Sequence, residues 1–485
     1  MICLNSLFTE NVVLQAEKSC KISGTAQADS EVTLSLGAYN AQTYSDDKGN
    51  FTFDLPSRPY NMVEKLTIHS AGDQQSLTIQ FGDVFLFAGQ SNMEYRMENE
   101  DHFQEEQQNF NAEGLFFHTV NSFDYDDGHK RMPDTLEEQS WKKLTKSTLM
   151  QMSAIAYYTI KEHRKKYPDR IIGAVICSKG GTSASCWISE DDLAESPAIN
   201  QAVIDPYRQA IDRKKALTFQ MELMKFWESS ETYYKKREKL IQKHPELTLR
   251  QIKEQIGFSP WPPPANPYLF TRPSGLYHTM FKKIVPFTFS AVVWYQGEED
   301  AGIAPIYHEL LHLLIKQWRE ELGDQVPFYI VQLPVCEDRP GHDWATVREA
   351  QRQVSAEIER GYLVTSLDCG EVDDIHPTDK SILGRRIGEV LDRIYYTSCP
   401  AAKVRSWKEN RVVIEVDHTR ELRLLARDSI TSEQAIEAIT IEENRVIIQS
   451  KEKLKKVEYG WSNAPSVTLF NEVGYPVSPF SFKKT

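Results

Sequence analysis

Asp-Val-Phe-Leu-Phe-Ala-Gly-Gln-Ser-Asn-Met-Glu-Tyr-Arg-Met occupies residues 83–97 and joins an apolar run to a polar turn. Residues 84–87 are β-branched, aliphatic or aromatic, which is typical of a buried parallel strand. Gly89 ends the strand, and Ser91 follows where open α/β folds bind their ligands. We therefore predict that Ser91 is a nucleophile. The alternative is that Ser91 only starts a helix, as an N-cap with Glu94 as its partner.

The chain beyond this stretch alternates between apolar strand candidates and helix candidates. The strand candidates are residues 84–87, 171–177, 291–295, 328–333 and 362–366, and the helix candidates are 149–166, 307–322, 346–360 and 380–395. Strands interleaved with helices predict an α/β domain with a mostly parallel sheet that is covered on both faces.

The flanking segments have a different sequence pattern. Apolar and polar residues alternate in short runs that are separated by turn residues, as in hairpin strands. At 485 residues the chain needs several domains. We predict a β-sandwich over 1–80, an α/β domain in two parts, 81–190 and 276–400, a helical and Pro-rich insertion over 191–275, and a C-terminal β-rich region over 401–485.

The insertion is the least regular part of the predicted fold. Phe219, Leu223, Phe226 and Trp227 recur at helical spacing, which indicates core packing on one face. Residues 260–264, Pro-Trp-Pro-Pro-Pro, favour an extended segment. We expect the insertion to lie over the carboxyl edge of the sheet, where it either shapes a substrate pocket or acts as a plain spacer.

Composition excludes several classes of partner. The net charge of 56 − 69 = −13 argues against nucleic acid and against anionic membranes, since both require a basic surface. No apolar run is long enough to span a membrane. Seven cysteines, with no CxxC pair, favour a reduced setting. No signal peptide is visible, so we expect a cytoplasmic protein, or a secreted or periplasmic one if the amino terminus was trimmed.

A nucleophilic serine needs a base, which is usually a histidine oriented by a carboxylate. Asp373-Asp374-Ile375-His376-Pro377 follows the last strand candidate and precedes a helix candidate. In a turn, an Asp three residues back can bond to the imidazole and leave its other nitrogen free for the serine proton. We predict His376 as the base, with Asp373 as the preferred carboxylate. The alternative is a solvated surface turn.

Acyl transfer also needs donors for the oxygen that becomes anionic. Gly180, in Lys-Gly-Gly-Thr-Ser at 179–183, follows a strand candidate and offers an unobstructed backbone N–H. Gln296 follows the strand 291–295 and carries a neutral amide donor. Taken alone, each of the two is equally well explained as an ordinary loop residue.

Together these segments resemble a known family. Gly-Gln-Ser-Asn-Met-Glu at 89–94, Gly-Gly-Thr at 180–182 with a later Trp187, Trp-Tyr-Gln-Gly-Glu at 294–298 and Asp-Ile-His-Pro at 374–377 are similar to the blocks of the sialate O-acetylesterase group of SGNH (GDSL-like) hydrolases. The resemblance implies a three-layer α/β/α domain. It also implies an oxyanion hole made by the Ser91 N–H, the Gly180 N–H and Gln296. Asp373 matches the Asp-x-x-His pattern, and Asp374 matches the position two before the histidine.

The same resemblance suggests substrate-binding residues, namely Gln90, Asn92, Glu298 and Arg272. Glu298 would brace its loop or touch the substrate, and Arg272 would hold a substrate carboxylate or form a structural ion pair. The pair Glu299-Asp300 departs from the family pattern, which puts substrate contacts on that loop in doubt.

The predicted function is that of a serine esterase that removes O-acetyl groups from a carbohydrate, without metal or cofactor. The resemblance favours O-acetylated sialic acid, with acetylated xylan or mannan oligosaccharides as the alternative. A candidate from another class is a catalytically inert carbohydrate-binding protein. A lipase-type elbow is absent, because Ser91 does not lie in Gly-x-Ser-x-Gly. The partner is a small acetylated sugar, and the sequence does not indicate the oligomeric state.

Overall fold

The computed structural model describes residues 1–121, 123–125, 131–133, 140–323, 325–337 and 340–484. Its amino-terminal part consists of short strands that alternate buried and exposed side chains, as hairpin strands do. These strands are β1 (Cys3–Leu4), β2 (Val12–Gln15), β3 (Cys20–Thr25), β4 (Glu31–Leu36), β5 (Tyr39–Tyr44), β6 (Asn50–Leu55), β7 (Val63–Ser70) and β8 (Asp73–Gly89).

Strand β8 is unusually long and belongs to two regions of the molecule. Its first half pairs antiparallel with β7, while residues 83–89 pair in parallel with later strands. The predicted domain boundary at residue 80 therefore falls inside a continuous strand. Residues 73–78 alternate in burial, whereas residues 79–89 are all buried, which explains why one strand has two sequence patterns.

The remaining strands of the central part are β9 (Leu115–Thr119), β10 (Phe123–Tyr125), β11 (Arg131–Pro133), β12 (Lys142–Lys143), β13 (Ile172–Ser178), β14 (Ala291–Tyr295), β15 (Phe328–Val331) and β16 (Gly361–Val364). The order along the central sheet is β12-β9-β13-β8-β14-β15-β16. All neighbours on this path are parallel except the edge pair β12–β9. Because β8 also carries the antiparallel amino-terminal strands, the eleven-stranded sheet as a whole is mixed.

Helices connect the parallel strands. They are α1 (Ser91–Glu94), α2 (Phe103–Asn109), α3 (Ala154–Lys166), α4 (Glu190–Glu195), α5 (Pro197–Ile199), α6 (Asp205–Ile211), α7 (Ala216–Lys243), α8 (Leu249–Ile256), α9 (Lys282–Ile284), α10 (Tyr307–Leu322), α11 (Trp344–Glu357) and α12 (Ser381–Leu391). Helix α3 packs on α12, and α10 packs on α11. Two glycines of α12 allow the first pair to approach closely, since a Cβ at Gly384 would lie 2.5 Å from the Tyr158 Cβ.

The insertion is built around α7, a helix of 28 residues. Phe219 and Phe226 are buried, as the predicted packing face requires, and Leu223 is half-buried. Trp227 is 53% exposed, so its assignment to that face is wrong. Helix α8 begins at a capping box, in which Thr248 and Gln251 exchange side-chain and backbone hydrogen bonds.

The carboxyl-terminal region is rich in strands and has its own small apolar core. Its strands are β17 (Ala402–Trp407), β18 (Arg411–Val416), β19 (Leu422–Leu424), β20 (Ile430–Thr431), β21 (Ile436–Glu442), β22 (Arg445–Ser450), β23 (Lys456–Tyr459), β24 (Leu469–Asn471) and β25 (Phe480–Lys483). Arg348 of α11 ties this region to the α/β part. Its buried guanidinium donates to the carbonyls of Leu333, Pro334, Ser462 and Asn463.

Two further observations bear on compartment and partners. All seven cysteines lie in described parts of the chain and are free thiols. Within those same parts, none of the helices combines the length and the apolar character that crossing a bilayer would require.

Candidate active site

Ser91 lies at a sharp turn after β8. Gly89 adopts φ +141°, and a Cβ there would lie 2.0 Å from the Tyr295 carbonyl oxygen, so only glycine fits between the two strands. The N-cap of the one-turn helix α1 is Gln90, which makes no side-chain cap bond. The alternative that Ser91 is an N-cap is therefore wrong. Ser91 is the first residue of the turn and is partly exposed.

A cavity of about 570 Å³ lies at this turn. Ser91, Gly180 and Glu298, which line it, each come shortly after the carboxyl end of a parallel strand, namely β8, β13 and β14. His376 lines the same cavity from the loop before α12. The prediction that these segments meet above one sheet edge agrees with the general placement of ligand sites in open α/β folds.

The His376 loop carries both candidate carboxylates, which also line the cavity. The Asp374 Oδ1 accepts the backbone N–H of His376 at 2.9 Å. The Asp373 Oδ1 accepts from the Arg250 Nε at 2.8 Å, so a cation of the insertion engages the carboxylate that the sequence favours. The role of either carboxylate in orienting the imidazole stays a prediction.

The Gly180 N–H, a predicted oxyanion donor, lies beside Ser91. A Cβ at Gly180 would be 3.2 Å from the Ser91 Cβ. This N–H donates to the Glu94 Oε2 at 2.6 Å. A substrate oxygen that used this donor would therefore replace the Glu94 carboxylate as its acceptor.

Gln296, the other predicted oxyanion donor, is fully buried and does not line the cavity. Its amide donates to the Thr182 carbonyl at 3.0 Å and to the Asp300 Oδ2 at 2.6 Å. Its oxygen accepts from the Tyr307 hydroxyl at 3.0 Å. With these partners the Gln296 amide braces the loops around the site, and it must release one of them before it can reach a substrate. Its oxyanion role stays a prediction.

Asn92 links three loops beneath the cavity. Its Nδ2 donates to the Glu298 Oε1 at 2.7 Å and to the Ile375 carbonyl at 2.9 Å. Its Oδ1 accepts from the Lys380 Nζ at 2.7 Å. Asn92 is completely buried and holds the Ser91 turn and the His376 loop together, so its predicted contact with substrate stays a prediction.

Glu298 and Lys380 are buried charges at the two ends of this network. Burial raises the pKa of the Glu298 carboxyl to about 7, against the opposing hydrogen bond from Asn92. The Glu298 Oε2 is buried without a hydrogen-bond partner among the described residues. Burial lowers the pKa of Lys380 to about 8, although the nearby Glu298 and Asp374 carboxylates oppose this change.

Two other predicted substrate residues occupy different environments. Gln90 lines the cavity, and its Oε1 lies 3.4 Å from the backbone N–H groups of Gly297 and Glu299. Arg272 does not line the cavity. Its guanidinium donates to the Pro267 carbonyl at 3.0 Å and to the Glu190 Oε1 at 3.4 Å, which is the structural ion pair that the sequence left open.

The insertion forms the opposite wall of the cavity, so the spacer alternative is wrong. Its contribution comes from α7, α8 and the segment after them: Tyr233, Tyr234, Arg237, Leu249, Ile252, Lys253, Ser259, Trp261 and Pro262. Trp261 packs so closely on Gly181 that a Cβ there would lie 2.0 Å from the ring. Its Nε1 donates to the Glu299 Oε2 at 2.8 Å, which fixes the ring at the cavity wall.

Asp300 and Glu299, the pair that departs from the family pattern, have separate roles. Asp300 is completely buried and accepts from the Ser183 hydroxyl at 2.6 Å and from the Ala184 N–H at 2.8 Å. Burial raises its pKa against these bonds. Asp300 is therefore structural, while Glu299 holds Trp261 at the cavity.

One group of side chains has the spacing of a metal site. Glu100, His102 and Asp379 bring one possible ligand atom each within 4.8 Å of one another. They do not line the cavity, and the Glu100 carboxylate already accepts from the Tyr158 hydroxyl at 2.9 Å. We assign no catalytic metal to this group.

Comparisons with known proteins bear on the whole chain. Residues 265–396 match the family model described as carbohydrate esterase, sialic acid-specific acetylesterase. No curated protein sequence matches the chain. A solved carbohydrate acetylesterase from Xanthomonas citri shares the fold with a TM-score of 0.74 and 23% identity, over 100% of both chains.

Two more distant solved structures were also found. A protein from Arabidopsis thaliana is 14% identical over 64% of this chain and 98% of its own, with a TM-score of 0.34. An acetyl xylan esterase from the rumen bacterium Butyrivibrio proteoclasticus is 10% identical over 81% and 97%, with a TM-score of 0.26. Their similarity is too low to support any argument about this chain.

Proposed function

We propose that this chain is a carbohydrate esterase, a carboxylic ester hydrolase, which cleaves sugar O-acetyl esters through an acyl-enzyme on Ser91. The match of residues 265–396 to the family model supports the proposal and agrees with the resemblance found in the sequence. The observation that carries the proposal is that Ser91 and His376, 285 positions apart, line one cavity at the carboxyl ends of parallel strands. Gly180 lies against Ser91 in the same cavity.

The proposed reaction has two halves. The Ser91 Oγ attacks the acetyl carbonyl carbon while His376 takes the hydroxyl proton. The ester C–O bond then breaks, and His376 returns the proton to the leaving sugar oxygen. In the second half, water gives a proton to His376 and attacks the acetyl-serine, and acetate leaves as Ser91 regains its proton. Asp373 orients His376 in this scheme, with Asp374 as the alternative.

The proposed oxyanion donors are the backbone N–H groups of Ser91 and Gly180, with Gln296 as a third. A preorganised donor of this kind is typically worth about 3–4 kcal/mol of barrier. Because Glu94 accepts from the Gly180 N–H, we infer that it moves aside when the substrate carbonyl enters. Asn92 contributes indirectly, because it fixes the serine turn relative to the histidine loop.

The cavity favours a neutral acetylated sugar, of the xylan or mannan type, over acetylated sialic acid. Arg272, the predicted anchor for a sialate carboxylate, is paired with Glu190 outside the cavity. The ionisable lining contains four carboxyl side chains against two cationic ones, in addition to histidines: Glu298, Glu299, Asp373 and Asp374, and Arg237 and Lys253. Such a lining disfavours an anionic ligand.

The first experiment tests the nucleophile. Wild type and Ser91→Ala are compared on 4-nitrophenyl acetate and on acetylated xylo-oligosaccharides, with acetate measured directly. We expect Ser91→Ala and His376→Ala each to lower kcat by about 10⁴-fold or more. An acetyl group on the Ser91 peptide, trapped by acid quench and detected by mass spectrometry, identifies the acyl-enzyme. Equal hydrolysis by wild type and Ser91→Ala would leave only the carbohydrate-binding alternative.

The second experiment separates the two carboxylates. If Asp373 orients the imidazole, Asp373→Asn lowers kcat by about 10⁴-fold while Asp374→Asn has a much smaller effect. Arg250→Gln serves as a matched variant, because it removes the cation from Asp373 and leaves the carboxylate in place. A larger loss of kcat in Asp374→Asn than in Asp373→Asn would assign the role to Asp374.

The third experiment addresses the substrate. We expect higher kcat/KM on acetylated xylo- or manno-oligosaccharides than on O-acetylated sialic acid. We also expect activity on the neutral sugars to survive Arg272→Ala in a folded variant. A selective loss of sialate hydrolysis in Arg272→Ala would instead restore the sialic acid assignment.

A further inference from the structure

Helix α7 exposes two aromatic side chains, of which Tyr234 lines the cavity. Trp227 is 53% exposed and Tyr234 is 55% exposed. They are seven residues apart, so they project from nearly the same side of the helix, about 10.5 Å apart along its axis. Ser230 lies between them and is buried, which shows that this side borders the packed face of the helix.

The two residues are linked to the cavity in different ways. Tyr234 lines it, and its ring packs edge-on against Tyr233, with ring centroids 5.5 Å apart. Trp227 packs against Phe226 at 4.9 Å, and Phe226 packs against Trp261 of the cavity wall at 6.3 Å. A line of aromatic rings therefore leads from the cavity wall to the exposed surface of α7.

Flat, half-exposed rings suit one class of ligand. Tyr and Trp offer a broad apolar face for stacking together with an O–H or N–H for hydrogen bonding, and a pyranose ring presents apolar C–H faces edged by hydroxyl groups. Two such platforms along one line require an extended ligand with several rings. We propose that Trp227 and Tyr234 form a subsite for the unacetylated sugar units of an oligosaccharide whose acetylated unit lies at Ser91.

The proposal rests on the function proposed above and adds the substrate class, an oligosaccharide chain in place of a single sugar. The other exposed apolar residues of α7 supply the contrast. Leu217, Met221 and Met224 are each more than 60% exposed, are aliphatic, and project from the side of the helix that faces away from its buried residues. Neither these three residues nor Trp227 lines the cavity, but Trp227 is joined to the cavity wall through its ring contact with Phe226, which packs against Trp261.

The experiment compares Trp227→Ala, Trp227→Phe and Met224→Ala with wild type. The substrates are 4-nitrophenyl acetate and acetylated xylose and xylo-oligosaccharides of two to four units. We expect kcat/KM of wild type to rise with chain length. Trp227→Ala should lower the ratio of kcat/KM on the tetrasaccharide to that on 4-nitrophenyl acetate by about tenfold, a change equivalent to about 1.4 kcal/mol. Trp227→Phe restores most of it, and Met224→Ala matches wild type.

A binding measurement keeps this test independent of catalysis. Unacetylated xylotetraose is titrated by calorimetry into Ser91→Ala and into the Ser91→Ala/Trp227→Ala double variant, and we expect about tenfold weaker binding to the double variant. The subsite would be overturned if Trp227→Ala had the same kcat/KM ratio as wild type and xylotetraose bound Ser91→Ala and the double variant with equal affinity. The same loss in Met224→Ala, or a change in the oligomeric state of Trp227→Ala, would overturn it in favour of a contact between copies. If wild type hydrolyses none of the substrates but xylotetraose still binds the double variant more weakly than Ser91→Ala, the proposed function is refuted and the subsite is not.

Discussion

Replacement of Glu298 by Gln tests the buried network beneath the cavity. Glu298 is 2% exposed, and its Oε1 accepts a hydrogen bond from the Asn92 Nδ2 at 2.7 Å. A glutamine keeps an oxygen for that bond and places an amide where the Glu298 Oε2 lies without a partner. The substitution therefore removes a buried charge while it preserves shape and the bond to Asn92.

The expected effect depends on pH. The pKa of Glu298 rises from 4.5 to about 7 on folding, because burial disfavours the carboxylate. A carboxyl with a raised folded-state pKa stabilises the fold fully below pH 4.5, and this contribution is lost as pH rises through about 7. The difference of 2.5 pKa units corresponds to about 3.4 kcal/mol, of which most, about 2–3 kcal/mol, is lost between pH 5 and 8.5.

Urea unfolding followed by tryptophan fluorescence, from pH 5 to 8.5, measures this change. Relative to wild type, Glu298→Gln should gain about 2–3 kcal/mol over that interval. Glu298→Gln also removes a carboxylate that raises the pKa of Lys380, so this pKa, already lowered by burial, falls further. A lower pKa of Lys380 adds to the stability that the variant gains over wild type as pH rises. Glu105→Gln, at an exposed position, is the control and should show a small offset that does not vary with pH. A difference for Glu298→Gln that is constant with pH would refute the reasoning.

Two further substitutions test the scaffold. Arg348→Met leaves four carbonyls without their donor, two of which, those of Leu333 and Pro334, are buried, so we expect at least about 2 kcal/mol of destabilisation in urea, and a loss below about 1 kcal/mol would contradict this. His163, buried between Asp392 and Asp83, has a raised pKa because their hydrogen bonds outweigh the effect of burial. Its contribution is complete below pH 6.5 and is lost as pH rises through that raised value, so wild type should weaken between pH 6 and 9 more than His163→Gln.

The parallel strands of the sheet could be predicted from the sequence because burial on both faces requires continuous apolar runs. Their apolar runs predict 291–295 and 171–177, and the observed strands are Ala291–Tyr295 and Ile172–Ser178. Polar loops that follow such strands meet at one edge, so Ser91, Gly180 and His376 were predicted close together without knowledge of side-chain geometry.

Contacts between distant segments were not accessible in this way. Lys380 carries no local signal, yet it bonds Asn92 across 288 positions. Gln296 has a suitable donor for an anion, but nothing in its neighbourhood shows that Asp300 and the Thr182 carbonyl use the amide. The helical spacing of Trp227 predicts a buried side chain, but it could not show that about half of this side chain is exposed.

Strand β8 joins the amino-terminal strands to the central sheet. It pairs with β7 over residues 73–80 and with β13 over residues 83–89, so the turn that carries Ser91 is attached to a region, residues 1–72, that does not line the cavity. Truncation before Asp73 would strip the partners from half of this strand and leave an exposed hydrogen-bonding edge that invites aggregation. We therefore expect the two regions to fold as one unit, because they share this strand.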